Sequence, residues 1–255
     1  MTRQLWTRRQ MLQRGSAAFG GLLLGGCDRL SQSPSFHRIL SSAEQLTYRA
    51  QRLIIGQSLA REFTTADLSP VFRSNGTARP RSAIYNQLLA DNFDAWRLMV
   101  GGLVNRPLAL SLADLRALPA RTQITRHDCV EGWSAIGQWT GVPLGSVLTQ
   151  AQLAPEARFI VLFSADELER GDGGYYESID LVDAFHPQTL LAYELNGRPL
   201  PVANGAPLRL RVERQLGYKQ AKYLMRIEAV ARLDGIAGGK GGYWEDRGYE
   251  WYAGI

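Results

Sequence analysis

Cysteine is scarce: the 255 residues hold two, Cys27 and Cys129. That excludes a disulfide framework, and no C-x-x-C pair is present for zinc or an iron–sulfur cluster, nor a C-x-x-C-H for covalent haem. Three histidines, His37, His127 and His186, leave little room for a three-histidine zinc site. The sequence also lacks G-x-G-x-x-G and G-x-x-x-x-G-K-[ST], so the phosphate cradles of dinucleotide and nucleoside-triphosphate sites are missing. No G-x-S-x-G elbow is present for a hydrolase serine. The longest apolar run, at 15–26, falls short of the roughly 20 residues that span a bilayer as a helix.

Acid is absent from the first 26 residues, which hold Arg3, Arg8, Arg9 and Arg14. Those four arginines explain most of the formal charge of +5; beyond them the chain has 25 basic and 24 acidic residues, which removes the main support for a nucleic-acid role. A charged start followed by a short run of Ala, Gly and Leu reads as a signal peptide. Arg8-Arg9-Gln10-Met11-Leu12 resembles a twin-arginine export signal, and Leu24-Gly25-Gly26-Cys27 resembles the lipobox of bacterial lipoproteins, with Cys27 as the lipidated residue. An ordinary cleaved signal with an incidental Cys27 is the alternative. The expected organisation is signal and lipobox over 1–27, linker and helix over 28–66, and one catalytic-size domain over 67–255, in the periplasm or cell envelope.

Ile39, Ala43, Leu46, Ala50 and Leu53 recur at spacings of three and four, which predicts an amphipathic helix capped at Ser41 or Ser42. Residues 97–104 read as a strand into a turn, 111–118 as a short helix stopped by Pro119, and 158–163 as a strand. Residues 121–129 are polar and β-leaning and lead into a Gly/Trp-rich loop. At 208–212 apolar residues alternate with arginine, as on a half-exposed strand, and 223–233 is helix or strand by pattern alone. The aromatic tail 238–252, hinged by glycine, is expected to fold back, because its rings would be costly to solvate. Short strands, scattered helices and many turns give an α+β domain with mixed or antiparallel sheets.

If Cys27 is acylated, Cys129 is a lone thiol in an exported protein. It lies in His127-Asp128-Cys129-Val130-Glu131-Gly132-Trp133-Ser134, followed by Trp139-Thr140-Gly141-Val142-Pro143-Leu144. In order there follow Ser164-Ala165-Asp166, Tyr175-Tyr176-Glu177-Ser178-Ile179, Leu190-Leu191-Ala192-Tyr193-Glu194-Leu195-Asn196-Gly197, Leu200-Pro201-Val202-Ala203-Asn204-Gly205-Ala206-Pro207-Leu208-Arg209 and Tyr218-Lys219-Gln220-Ala221-Lys222. This ordered set resembles the sulfite-oxidase superfamily of molybdopterin-dependent oxidoreductases. Within it the likeness is strongest to exported bacterial members, methionine-sulfoxide reductase catalytic subunits among them. The resemblance implies the sulfite-oxidase-type molybdopterin-binding fold and one molybdenum on a single molybdopterin, ligated by the Cys129 thiolate. A soft thiolate suits such a metal, and nearby positive charge, expected from Arg126, keeps it deprotonated.

The resemblance also implies the cofactor contacts. Arg209 and Lys222 match the phosphate site, with Asn204 and the backbone of Gln220 and Ala221 beside them; guanidinium and phosphate are complementary. By pattern alone, Arg209 and Arg211 read equally well as a solvated strand face, and residues 204–207 as a plain turn. Asp166 matches a carboxylate that accepts from the pterin amines, and Asn75 matches the front pterin loop, where Arg73 is a possible substitute for a shifted arginine. Tyr249, five residues after Trp244, matches a tyrosine placed over the metal's oxo group, while Glu131 and Asp128 are candidate proton sources. Ordinary hydrogen-bonded loop carboxylates are the plainer reading of both.

Ser134 stands where sulfite-oxidising members have an arginine, which points away from sulfite and toward reduction of an S-oxide or N-oxide. Sulfite oxidation is the first alternative. A non-catalytic binding lipoprotein on the same fold is the second. No second redox centre is visible, so electrons are expected from a separate cytochrome or quinol-linked membrane protein.

Overall fold

In the computed structural model, residues 33–168 and 174–255 are described. The twin-arginine stretch, the apolar run and Cys27 lie outside them. The chain divides into two units after Gly56. The described part of the first is one helix, α1 (Pro34–Ile55). It starts earlier than Ser41, because Ser33 in extended conformation followed by Pro34 is a ready N-terminus, and Gly56 at φ 53° ends it. No helix among the described residues is long and apolar enough to cross a membrane.

The second unit begins at Gln57, so the stretch 57–66, expected in the linker, is part of it. Phe63 N–H donates to the Ile124 carbonyl at 2.8 Å, and Glu62 bridges Thr125. In chain order the unit contains α2 (Ala83–Ala90), β1 (Leu98–Gly102), β2 (Leu108–Leu110), α3 (Leu112–Ala117), β3 (Arg121–Cys129), β4 (Trp133–Pro143) and α4 (Leu144–Ala151). There follow β5 (Phe159–Ser164), β6 (Tyr176–Asp180), α5 (Leu181–Ala184), β7 (Leu190–Leu195), β8 (Arg198–Pro199), β9 (Arg209–Arg211) and β10 (Leu224–Val230). One sheet runs β3-β4-β7-β8, with β9 also paired to β7; the other runs β2-β1-β10-β5-β6. All pairings are antiparallel except β1 with β10, so this is the expected α+β arrangement with a mixed sheet.

Local chemistry accounts for the boundaries. Ser111 opens α3 with a capping box: its Oγ accepts from Asp114 N at 3.1 Å, and the Asp114 carboxylate accepts from Ser111 N at 2.9 Å. The ambiguous stretch at 223–233 is β10, whose Leu224, Ile227 and Ala229 enter the main core with Leu98, Val100, Ile160, Leu162, Leu191 and Leu210. The expected loop after Cys129 is only three residues long. Trp133 already belongs to β4, opposite Cys129, and Gly132 at φ 85° makes the turn.

At β7 and β9 the first sheet is buried on both faces. Leu210 of β9 points into the main core, while a second cluster of Trp139, Ala192, Leu195 and Leu200 packs with Phe72. Arg209 and Arg211 therefore do not form a half-exposed strand face: both are 0% exposed, with their guanidinium carbons 5.0 and 4.3 Å from the Trp139 ring centre. Alternation is present, but the side expected to face water is covered by the indole.

Gly141 sits at the register shift where β4 crosses β7, and a methyl group there would stand 2.2 Å from the Leu191 carbonyl oxygen and 2.6 Å from Ala192 Cα. Gly141→Ala is expected to cost about 2–3 kcal/mol through forced backbone displacement, read as a lower urea midpoint with unchanged slope.

Candidate active site

The β3–β4 hairpin, the front loop 75–77, the segment 217–222 and the tail converge on a pocket of about 230 Å³. Asn75, Cys129, Val130, Glu131, Asp166, Tyr175, Tyr218, Gln220, Ala221, Lys222, Trp244 and Tyr249 are among its lining residues. It thus gathers eight of the residues singled out in the sequence. Arg73 is exposed and does not line it, nor does Asp128, and Arg209 and Asn204 are buried behind the lining.

Cys129 is the last residue of β3 and half-buried, on the pocket side. Burial pushes its thiol up; the Glu131 backbone N–H pulls it back, and so, further down, does the Arg209 charge. The expected cation, Arg126, lies elsewhere: it is exposed and pairs with Asp128 at 2.9 Å. Strand alternation explains this, since positions 126 and 129 face opposite sides. Asp128 also accepts from Ser134 Oγ at 2.5 Å, its cross-strand partner. The Glu131 carboxylate accepts from Trp133 Nε1 at 2.9 Å and from Gly76 N at 3.2 Å, so it ties the front loop to the hairpin. These bonds, led by the indole, hold its carboxyl below the usual range.

His127, two residues before Cys129, has no role assigned from sequence. It is fully buried between Phe72 and Trp133, with Arg211 Nη1 2.9 Å from its Nδ1. Burial, followed by the charges of Arg211 and Arg209, pushes its pKa well down, so it is neutral. Arg211 can then donate to Nδ1, leaving the proton on Nε2. Gly217 has room for no side chain, because a Cβ there would meet His127 Nε2 at 2.6 Å. Thr77, Leu168 and Gly217 are pocket residues that sequence reasoning missed. Only the glycine, at 217, left a signal.

Two cations, Lys222 in the lining and Arg209 behind it, have no carboxylate partner among the described residues. Arg209 donates to the carbonyls of Asn204 at 2.9 Å and Gln220 at 3.3 Å and to Asn75 Oδ1 at 3.5 Å. Lys222 Nζ donates to the carbonyls of Asn75 at 2.6 Å, Ala203 at 3.2 Å and Thr77. Arg209 Nε and Asn204 Nδ2 are buried with no partner. Burial lowers Lys222 to about 7, with Arg209 the next cause, and lowers Arg209 to about 9, with Arg211 next. Gly205, at φ 114°, lets the two side chains close in: a Cβ would lie 3.0 Å from Lys222 Cβ and 3.1 Å from Arg209 Cβ. Two desolvated cations around one glycine turn, with spare N–H donors on Arg209 Nε and Asn204 Nδ2, suit an anion such as a phosphate ester. The donor set fits the pterin phosphate, and the Cys129 thiol fits a soft metal.

The fold and this thiol-and-anion pocket define a cofactor-binding oxidoreductase, and comparison with known proteins gives the family. The oxidoreductase molybdopterin binding domain matches residues 86–234, and the chain belongs to that family of molybdopterin-dependent enzymes. It is 36% identical over 256 residues, 98% of this chain and 89% of the other, to a protein of Azospira oryzae provisionally named protein-methionine-sulfoxide reductase subunit YedZ1. It is 38% identical over 147 residues to the protein-methionine-sulfoxide reductase catalytic subunit MsrP of Xanthomonas axonopodis pv. citri, covering 54% of this chain and 46% of that one. With MsrP of Ralstonia nicotianae the identity is 35% over 178 residues, 66% and 50% of the two chains. The matches thus span about half the length of the MsrP relatives. The sulfane dehydrogenase SoxCD of Paracoccus pantotrophus aligns with a TM-score of 0.49 at 24% identity, over 54% of this chain and 38% of that one.

The lowered Lys222 sets a pH dependence for the cofactor-free protein. Between about 7 and the ordinary 10.5, the unfolded chain keeps a proton that the folded chain releases, so stability rises with pH across that window. Thermal melts of the apoprotein at pH 7 and pH 9 should show a higher midpoint at pH 9. In the holoprotein, an anion beside Lys222 keeps it charged, and the rise should shrink.

Proposed function

We propose that this chain is an exported molybdenum–pterin-dependent reductase of S-oxides, with protein methionine sulfoxide the substrate its relatives' names suggest and N-oxides the wider chemical range. The observation that carries this reading is the composition of the pocket. Val130, Leu168, Tyr218, Trp244 and Tyr249 make it apolar and aromatic around the Cys129 thiol, and Lys222 is the only basic residue among the described lining residues. Val130 and Tyr249 are 46% and 41% exposed, so the apolar rim is open to solvent. A neutral sulfoxide flanked by alkyl groups suits such a rim, whereas a sulfite dianion would need several cations. Ser134, at the position where sulfite-oxidising members have an arginine, is on the outer side of the hairpin, bonded to Asp128.

The bound cofactor supplies a two-electron metal centre that accepts an oxygen atom. The protein's part is to hold and shape. Cys129 Sγ would ligate the metal. Arg209, Lys222 and Asn204 Nδ2 would hold the phosphate beside the backbone of Gln220 and Ala221. Asn75 and Asp166 would face the pterin edge, and Arg73, exposed in the same loop, would be a peripheral contact at most. Tyr249 Oη would donate to the substrate oxygen. Net reduction breaks the sulfur–oxygen bond: a sulfoxide, a pair of electrons and a pair of protons become a sulfide and a water, so protons must be delivered. Asp128 is outside the pocket, and Glu131 already accepts two bonds, so its part is to pin the front loop.

Electrons would come from a separate cytochrome or quinol-linked membrane protein. Export by the twin-arginine-like signal, with a lipid at Cys27, would keep the enzyme beside such a partner in the periplasm or cell envelope; an acyl anchor and its partner reinforce one another.

Purified holoenzyme is expected to contain about one molybdenum and one pterin per chain, as one thiolate ligand implies. Both should be lost in Cys129→Ser. Methionine sulfoxide should be reduced with reduced viologen as donor, with little sulfite turnover using a chemical oxidant. Rapid sulfite oxidation would reverse the assigned direction, and metal-free wild type would favour the binding-lipoprotein reading.

A further inference from the structure

Behind the pocket wall, three ionisable side chains meet out of reach of water. Lys219 Nζ donates to Glu177 Oε1 and to Glu245 Oε1, each at 2.5 Å, and all three side chains are essentially inaccessible. Buried charge is tolerated only when well paired, and none of the roles assigned above uses this cluster. Its members come from three separate stretches, each of which supplies pocket wall. Glu177 lies on β6, two residues past Tyr175; Lys219 lies between Tyr218 and Gln220; Glu245 directly follows Trp244 and precedes Tyr249 in the tail.

Neighbouring contacts share this plan. Tyr243 N–H donates to the Tyr176 carbonyl at 3.0 Å, Tyr218 Oη donates to the Glu250 carbonyl at 2.7 Å, and Trp251 Nε1 donates to Ser178 Oγ at 2.8 Å. The Trp251 ring centre is 5.3 Å from Lys219 Nζ. Gly242 allows the tail to pass over the cluster, since a Cβ there would stand 1.9 Å from Glu245 Oε2 and 2.6 Å from Glu177 Oε1. Trp244 and Tyr249 then pack at a tilt with ring centres 5.2 Å apart, and Tyr249 meets Tyr218 edge-on at 5.2 Å.

We infer that Lys219, by binding Glu177 and Glu245 together, is the positioning residue that fixes Trp244 and Tyr249 as one wall of the pocket and so sets how tightly substrate is held. The substrate half rests on the S-oxide reading; the wall half does not. Burial pushes the Glu177 carboxyl well up against the pull of Lys219, and the Glu245 charge adds to the rise. Protonation of Glu177 is thus favoured, which lessens the charge held in a dry interior.

The test compares Glu245→Ala and Glu245→Gln in the full-length holoenzyme. Gln keeps an oxygen for Lys219 and should behave close to wild type. Ala should leave molybdenum content intact, speed backbone hydrogen exchange across residues 243–249 by about tenfold or more, and raise KM for methionine sulfoxide about tenfold with kcat changed much less. If Glu245→Ala does not fold, Lys219→Met combined with Glu245→Gln removes the buried charge and should show the same two effects. Unchanged tail exchange in the folded variants overturns the proposal, and faster exchange with unchanged KM overturns its substrate half. If the wild type reduces no sulfoxide yet the tail loosens in the variant, the wall stands and the S-oxide reading falls.

Discussion

Two guanidinium groups from a three-residue strand, stacked on one indole and sealed from water, are the constraint around which the rest is arranged. Arg211 is answered locally: Glu213 forms a 2.6 Å ion pair with it, and both side chains are fully buried. Arg209 has only carbonyl and amide oxygens. Two like charges side by side in a low-dielectric interior repel, and the protein pairs one with a carboxylate and leaves the other among neutral oxygens. Neutral His127 follows from its burial first and from the same pair second. The left-handed turn at Gly205 belongs to the same cluster, since it lets the Lys222 and Arg209 side chains close in on one another.

Around that centre the loops are held by polar ties rather than by apolar packing. Lys222 gathers the carbonyls of the front loop and of residue 203, Glu131 clamps Gly76 to the hairpin, and Lys219 draws the tail inward. Each tie joins segments far apart in sequence. The two hydrophobic clusters support these loops from beneath, and the chemistry sits where the sheets give way to turns.

Much of this is legible in the sequence. The short helix stopped by Pro119, the strand at 158–163 and the Cys129 word are local signals, and the structure places a helix, a strand and a pocket thiol there. The resemblance gathers Asn75, Asp166, Gln220, Ala221 and Lys222, and the pocket brings them together. What is not legible depends on distant partners. Arg209 and Arg211 alternate as a solvated face would, and only Trp139, 70 and 72 positions earlier, turns that face into an interior. Arg126 looks like the thiolate's counter-charge by adjacency, but strand geometry sends neighbours to opposite sides. Glu177 and Lys219 lie within the ordered motif words, but nothing there pairs them with Glu245, because a buried triad assembled from three segments has no spacing to read. The α1 start escapes for a smaller reason, since the serine–proline pair at its entry reads equally well as linker.

The hairpin carrying Cys129 has a further consequence. Residues 121–129 pair one for one with 133–141, and the turn at Gly132 closes that ladder. Side chains on such a ribbon alternate, so a slip of one position would move the sulfur to the outer surface and bring Asp128 to its place. The hydrogen-bonded ladder thus acts as an aiming device: its counting, more than the identity of the residues beside the thiol, decides which way the sulfur points. A lengthened surface loop elsewhere would be absorbed, but a single residue inserted within this strand would turn the same sequence word into an ordinary exposed cysteine.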